Sequence, residues 1–119
     1  MIKHHFLFTY SISPIEGTDN AAKAADKVRK GIANIQSPDW SKLSTVETTF
    51  SGRLALTAET VCEKREEARD IIDRELRGVI DAYKARCEIR ADISLLVDGL
   101  GPRMDIIIVT PLPSCLNLT

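Results

Sequence analysis

Apolar and polar side chains alternate in the first segment of the chain, HHFLFTYSI. Because side chains alternate across an extended strand, the odd and even positions of this segment fall on different faces. One face carries His4, Phe6, Phe8, Tyr10 and Ile12, and the other carries His5, Leu7, Thr9 and Ser11. The aromatic side chains all lie on the first face, so we expect that face to point into the core.

A helical period follows the turn-forming segment SPIEGTDN. Apolar residues recur at spacings of three and four, which is typical of an amphipathic helix. They are Ala21, Ala25, Val28, Ile32 and Ile35, and the polar side of the same helix carries Lys23, Asp26, Lys27 and Lys30. We expect the helix to end before Pro38, because proline disfavours helical geometry in the residue that precedes it.

The segment DWSKLSTVETTFSGRLALT predicts a β-hairpin, since KLSTVETTF is rich in β-branched residues and RLALT returns with Leu54 and Leu56 in phase. Ser51-Gly52 is the candidate for a two-residue turn between the two strands. Trp40, the only tryptophan, follows the helix-ending proline. We interpret it as a packing residue at the point where the first helix gives way to the sheet.

The third part of the chain predicts a long second helix and two further strands. The helix begins after Thr57, which we expect to cap it, and its apolar stripe comprises Val61, Ala68, Ile72, Leu76, Val79 and Tyr83. CEIRADISLLVDG then alternates, with Cys87, Ile89, Ala91, Ile93, Leu95 and Val97 on one face. MDIIIVT is a continuous apolar run, which has to be covered on both faces or lie in an interface.

The order of elements is therefore β-α-β-β-α-β with one appended strand. It predicts the α+β class and, within it, the ferredoxin-like split βαβ arrangement, an antiparallel sheet with two helices on one face. Residues 1–110 form a single domain in this prediction, and residues 111–119, which contain two prolines, form a flexible C-terminal tail. The sheet face opposite the helices stays open.

Composition agrees with one globular domain, because 44% of the 119 residues are hydrophobic and 28% are charged. No window approaches the roughly 18 apolar residues of a membrane-spanning helix, and the N-terminus lacks the pattern of a signal peptide. We therefore expect a cytoplasmic protein without membrane contact. Cys62, Cys87 and Cys115 form no CxxC pair, which disfavours a disulfide framework or a zinc site.

The formal net charge of −1 provides no global attraction to nucleic acid, so any such surface has to be local. Candidate phosphate contacts are Lys23, Lys27, Arg29 and Lys30 on the first helix, with Lys42 and Arg53 on the hairpin. Solvated lysines and arginines without a ligand are the alternative interpretation. The open face of the first strand offers no aromatic side chain on which bases could stack.

Catalytic candidates are few. His4 and His5 lie on opposite faces of a strand and cannot chelate one ion together, although histidine is the side chain best suited to act as a general base near neutral pH. Asp98, Asp105 and Glu47 lie near strand ends, where they could bind a divalent cation or keep the strand ends soluble.

Cys62 lies in the first turns of the second helix, but the surrounding glutamates disfavour a thiolate nucleophile. The chain contains no P-loop, GxGxxG, HExxH or GxSxG motif. Nothing in the sequence indicates a cofactor.

Several of these features together resemble the small ferredoxin-like proteins related to the CRISPR-associated integration subunit and the GhoS-type antitoxins. They are FLFTYSI, the first helix, the motif W-x-x-L-S-T at Trp40, Leu43, Ser44 and Thr45, the Thr-rich hairpin and the second helix. In those relatives the first strand commonly ends in Tyr-Asp, and that Asp is the proposed metal ligand at a dimer axis. This chain has Tyr10-Ser11 there, and a hydroxyl is a poor substitute for a carboxylate on magnesium.

The resemblance implies a homodimer. The serine at position 11 argues against metal-dependent nuclease activity. Dimer contacts are expected at Ile106, Ile107, Ile108 and Val109. The sequence thus favours a non-catalytic binding or regulatory protein with a protein or RNA partner, in a toxin-antitoxin or mobile-element defence setting. The alternative is an endoribonuclease of the antitoxin-like kind that acts on single-stranded RNA, with His4 or His5 as its general base.

Overall fold

The computed structural model describes residues 2–15, 19–37, 39–45, 48–82 and 89–109. Seven elements lie within them: β1 (Ile2–Pro14), α1 (Asp19–Ala33), β2 (Trp40–Lys42), β3 (Thr49–Leu56), α2 (Val61–Ala82), β4 (Ile89–Val97) and β5 (Met104–Val109). This order confirms the predicted α+β class. The predicted tail at 111–119 lies outside the described residues.

All five strands belong to one antiparallel sheet, in the order β2-β3-β1-β4-β5. β1 is the central strand and pairs with β3 on one side and with β4 on the other. This arrangement is compatible with a ferredoxin-like fold, with β5 added outside β4. β2 and β5 are the two edges of the sheet.

The core lies between the sheet and the two helices, and β1 supplies its aromatic centre. Phe6, Phe8, Tyr10 and Ile12 are buried, as their alternation predicts. The ring of Trp40 packs edge-on against Phe6 and Phe8, with centroids 5.4 and 5.6 Å apart. The interpretation of Trp40 as a packing residue is confirmed.

Both helices pack against this face of the sheet and against each other. α1 buries Ala21, Ala25, Val28 and Ile32, and α2 buries Ala68, Ile72, Leu76 and Ile80. The prediction for α1 is confirmed, apart from Ile35, which lies beyond the end of the helix and is partly buried. Ile80 was missing from the predicted stripe, and the predicted core residue Tyr83 lies outside the described part of the chain.

The start of α2 differs from the prediction. Val61 is the first residue of the helix and is 54% exposed rather than buried, because the first turn extends past the edge of the core. Thr60, not Thr57, caps the helix: its Oγ1 accepts from the Glu63 backbone N–H at 3.1 Å. Thr57 instead donates its backbone N–H and its hydroxyl to the Glu67 carboxylate.

The predicted turn at Ser51-Gly52 is wrong. Both residues lie within β3, and the chain reverses earlier, between Lys42 and Thr49. Gly52 is required there for a different reason, because a Cβ atom on it would lie 2.0 Å from the Asp39 carbonyl oxygen. The glycine permits close approach of the two backbones rather than a tight turn.

β5 alternates instead of being covered on both faces. Met104, Ile106 and Ile108 are buried, whereas Ile107 and Val109 on the other face are exposed. The tight connection from β4 uses Gly99 and Gly101, whose φ angles of 79° and 93° favour glycine. Neither of the described helices is long and apolar enough to cross a membrane.

Candidate functional site on the open sheet face

The sheet face opposite the helices, here called the open face, is lined mainly by short hydroxyl side chains. They are Thr9, Ser11, Ser41, Ser51 and Ser94. The larger apolar side chains on this face are Leu7, Leu96, Ile107 and Val109, and all four are exposed. The open face thus combines hydroxyl side chains with apolar ones: Leu7 and Leu96 lie opposite each other on β1 and β4, and Ile107 and Val109 lie on β5.

The two histidines point to opposite faces, as predicted. His4 is half-buried, its Nδ1 lies 3.2 Å from the Asp98 carbonyl oxygen, and its Nε2 is buried without a hydrogen-bond partner in the described part of the chain. His5 is exposed on the open face. Of the two catalytic candidates, His5 is therefore the one that a ligand on the open face can reach.

His5 lies directly opposite Arg53 on β3, and Ser51 lies opposite Ser41 on β2. These four side chains line a shallow hollow of about 420 Å³, which we call the β1–β3 hollow. Asp39 also borders the hollow, and its carbonyl oxygen accepts the Arg53 backbone N–H at 3.0 Å. Three neighbouring strands thus bring together one guanidinium, one imidazole and two hydroxyls.

The Arg53 side chain has no ion pair and no hydrogen bond within the described residues. Most of the other described arginines are engaged, namely Arg29, Arg65, Arg69, Arg77, Arg90 and Arg103. The Asp39 carboxylate at the rim is balanced by Lys3, whose Nζ lies 3.4 Å away. The hollow therefore carries an uncompensated positive charge from Arg53.

The predicted nucleic-acid contacts do not form one surface. Lys23, Lys27 and Lys30 are on α1, which covers the other side of the sheet. Lys42 aligns with the core residue Phe50 at the β2 edge, so its Cβ also starts on the helix side. Arg53 alone of the predicted set faces the open side.

Of the acidic candidates, Asp105 has contacts through its carboxylate, whereas those of Asp98 are made by its backbone. Asp105 accepts a hydrogen bond from Ser94 at 3.3 Å and lies 3.4 Å from the Arg103 guanidinium. Asp98 follows β4, and its backbone N–H donates to the His5 carbonyl oxygen. Within the described ranges, no group of three or more His, Cys, Asp or Glu side chains is placed to hold a metal ion. Glu47 lies outside those ranges.

Ser11, the position where the resembling proteins carry Asp, lies opposite Asp92 of β4. The Asp92 carboxylate is bound by Arg90 at 3.0 to 3.1 Å. This hydrogen bond, together with the attraction of the Asp92 charge, raises the pKa of Arg90 above its ordinary value. The carboxylate that lies across from Ser11 is thus already paired.

The β5 edge forms a second candidate surface. A groove of about 340 Å³ runs between β5 and α2 and is bordered by Arg69, Asp73, Arg77, Ile106 and Ile107. Arg77 and Asp73 form an ion pair at 2.8 Å, and Arg69 donates to the Asp105 carbonyl oxygen at 3.4 Å. Of the four predicted dimer contacts, Ile106 and Ile108 fill the core, while Ile107 and Val109 remain exposed.

Comparisons with protein-family models, with curated proteins and with solved structures find no match for this chain. Arg53 and His5 were both candidates from the sequence, but their pairing depends on the β1–β3 register. Ser41 and Ser51 were missed, because the sequence assigns Ser51 to a turn.

Proposed function

We propose that this chain is a ferredoxin-like binding or regulatory protein of the cytoplasm that acts as a homodimer joined through β5. The observation that carries the proposal is the character of this edge strand. β5 ends the sheet, and it presents Ile107 and Val109 to solvent beside backbone groups that do not bond to β4.

Edge strands with unpaired N–H and C=O groups pair readily with other chains, so proteins usually protect them with proline, lysine or a bulge. β5 contains neither proline nor lysine within Met104–Val109, and Asp105 is its one charged residue. Antiparallel pairing of two β5 strands would satisfy the free backbone groups and cover part of the exposed isoleucine and valine. The product is one continuous sheet that joins the two five-stranded sheets edge to edge.

The regulatory setting rests on the resemblance alone. The resemblance to the GhoS-type antitoxins and to the CRISPR-associated integration subunit suggests a toxin-antitoxin or mobile-element defence role with a protein or RNA partner. The open face would supply the contact surface for that partner.

Sedimentation equilibrium of two matched variants tests the dimer. Ile107→Lys places a charge on the exposed face of β5, and Leu96→Lys places the same charge on the neighbouring strand. The two side chains are 52% and 49% exposed, so both substitutions should leave folding intact. We expect the wild type and Leu96→Lys to dimerise and Ile107→Lys to be monomeric.

A monomeric wild type would contradict the proposal. Loss of the dimer in Leu96→Lys with retention in Ile107→Lys would indicate face-to-face packing of the open faces instead. Removing β5 by truncation after Gly101 would also remove Met104, Ile106 and Ile108 from the core. A substitution on the exposed face of β5 therefore tests the dimer more directly.

A second candidate function is cleavage of single-stranded RNA without a metal ion. The position of His5 opposite Arg53 favours it, because a general base and a cation for the phosphate would then share one surface. Cleavage should survive chelation of divalent metals and fall by about 10²-fold or more in His5→Ala. His4→Ala should cleave RNA at the wild-type rate. An equal loss of cleavage in the two variants would contradict the role of His5 as the general base.

A further inference from the structure

We propose that the β1–β3 hollow is a binding site for a phosphate group, supplied by the backbone of a single-stranded RNA. This deepens the second candidate function and rests on it only for the source of the phosphate. Binding without cleavage would uphold the site and remove the ribonuclease.

The spacing of the four polar side chains suits a phosphate. Positions two residues apart on one strand are separated by about 7 Å, and adjacent strands by about 4.8 Å. Arg53 and Ser51 are such neighbours along β3, while His5 and Ser41 lie across from them on β1 and β2. The four donors lie diagonally across three strands, and Leu7 and Asp39 also line the hollow. A tetrahedral group seated over Arg53 and Ser51, in the middle of this set, can contact several of the donors.

The charge of the site selects an anion. Because the Asp39 carboxylate is paired with Lys3, the free Arg53 guanidinium is the uncompensated charge at the hollow. A guanidinium presents its N–H groups as a planar fork that fits two oxygens of a phosphate. The hydroxyls of Ser41 and Ser51 can donate to a third oxygen of the phosphate. A carboxylate ligand has only two oxygens.

The surroundings favour an extended strand without sequence preference. Apart from the imidazole of His5, the described residues of the open face include no exposed aromatic side chain for base stacking. Contacts to phosphate position a nucleic acid but do not read its sequence. Binding should therefore depend on salt and tolerate changes of base.

The experiment measures fluorescence anisotropy of a labelled single-stranded RNA with hydroxyl ends, using the full chain. Arg53→Gln is compared with Arg74→Gln, a matched control, since Arg74 is an exposed α2 arginine without a partner among the described residues. We expect Arg53→Gln to weaken binding about tenfold or more, the loss typical of one charged hydrogen bond. Arg74→Gln should bind as the wild type does.

Arg53→Lys separates a point charge from a guanidinium fork and should recover only part of the lost affinity. Unchanged Trp40 emission in each variant verifies that the neighbouring core is intact, because Trp40 packs beside β3. A titration with inorganic phosphate, followed by the amide signals of His5 and Arg53, tests the site without RNA.

Two results would overturn the proposal: equal weakening by Arg53→Gln and Arg74→Gln, or phosphate-induced changes confined to the α1 lysines. Binding of inorganic phosphate at His5 and Arg53 without RNA binding would uphold the phosphate site. It would contradict single-stranded RNA as the source of the phosphate, and it would also contradict the proposed RNA cleavage.

Discussion

Gly52 illustrates how a single residue can support two different structural interpretations. In the sequence, Ser51-Gly52 has the composition of a tight turn, and the local pattern offers nothing against that interpretation. The structure places Gly52 in mid-strand, where the Asp39 backbone crosses too closely for any side chain. The local composition therefore indicates a glycine with a structural role, but it predicts a turn where the structure has a close contact between two backbones.

Replacing Gly52 tests this close approach directly. A Cβ atom at this position would lie 2.0 Å from the Asp39 carbonyl oxygen and 3.0 Å from the Phe6 ring, so Gly52→Ala has to displace the backbone at Asp39. We expect it to lower the free energy of unfolding by about 1–3 kcal/mol, measured by urea denaturation.

Gly78→Ala is the control for that substitution. Gly78 lies in α2, and a Cβ atom on it would have no neighbour within 4 Å among the described residues outside its own helix turn. Alanine should therefore stabilise the helix by about 0.5–1 kcal/mol. Equal effects of the two substitutions would contradict the role given to Gly52.

Glu67 links the end of β3 to α2. Hydrogen bonds from the Ala58 backbone, the Thr57 hydroxyl and the Thr57 backbone lower its pKa from the ordinary 4.5. A carboxylate with a lowered pKa stabilises the fold above its ordinary pKa and ceases to do so as the pH falls through the lowered value. Glu67→Gln should therefore be less stable than the wild type at about pH 7.

The difference between Glu67→Gln and the wild type should shrink as the pH falls below 4.5. Urea unfolding at neutral pH and in acid measures it. Glu66→Gln, at a neighbouring exposed carboxylate of α2, is the matched control. A deficit in Glu67→Gln that stays constant with pH would show that these hydrogen bonds do not depend on the ionised form.

At the scale of elements, periodicity predicts what each segment buries but not where the segment ends. The core residues of β1, β4 and α1 follow from spacing alone, because each element meets the core along one regular face. The exposure of Val61 depends on how far α2 extends past the sheet, and the position of the hairpin turn depends on the register in which β2 pairs with β3. Those are tertiary relations that local pattern does not contain.

The cap of α2 was predictable, however, because Thr60 and Glu63 have the spacing of a capping motif. Thr60→Ala removes the acceptor of the Glu63 backbone N–H and should cost about 1 kcal/mol of stability. Thermal unfolding measures the loss, and Thr60→Ser should restore most of it. Unchanged thermal stability in Thr60→Ala would contradict the cap at Thr60.

At the scale of the whole molecule, the two sides of the sheet have different origins in the sequence. The covered side was predictable, since burying the apolar face of each element determines it. The β1–β3 hollow was not, because its four side chains come from three strands that only the sheet register aligns. The β5 edge was predictable in part. The apolar run predicted an interface at Ile106–Val109, and in the structure only Ile107 and Val109 of this run are exposed.

The central claim is that two copies of the chain join through β5. Its most direct measurement is amide hydrogen exchange of the β5 backbone by NMR, as a function of protein concentration. We predict that the β5 amides not bonded to β4 become protected as concentration rises, and that Ile107→Lys abolishes this change. Exchange at β5 that is independent of concentration, in a chain that sediments as a dimer, would contradict the claim.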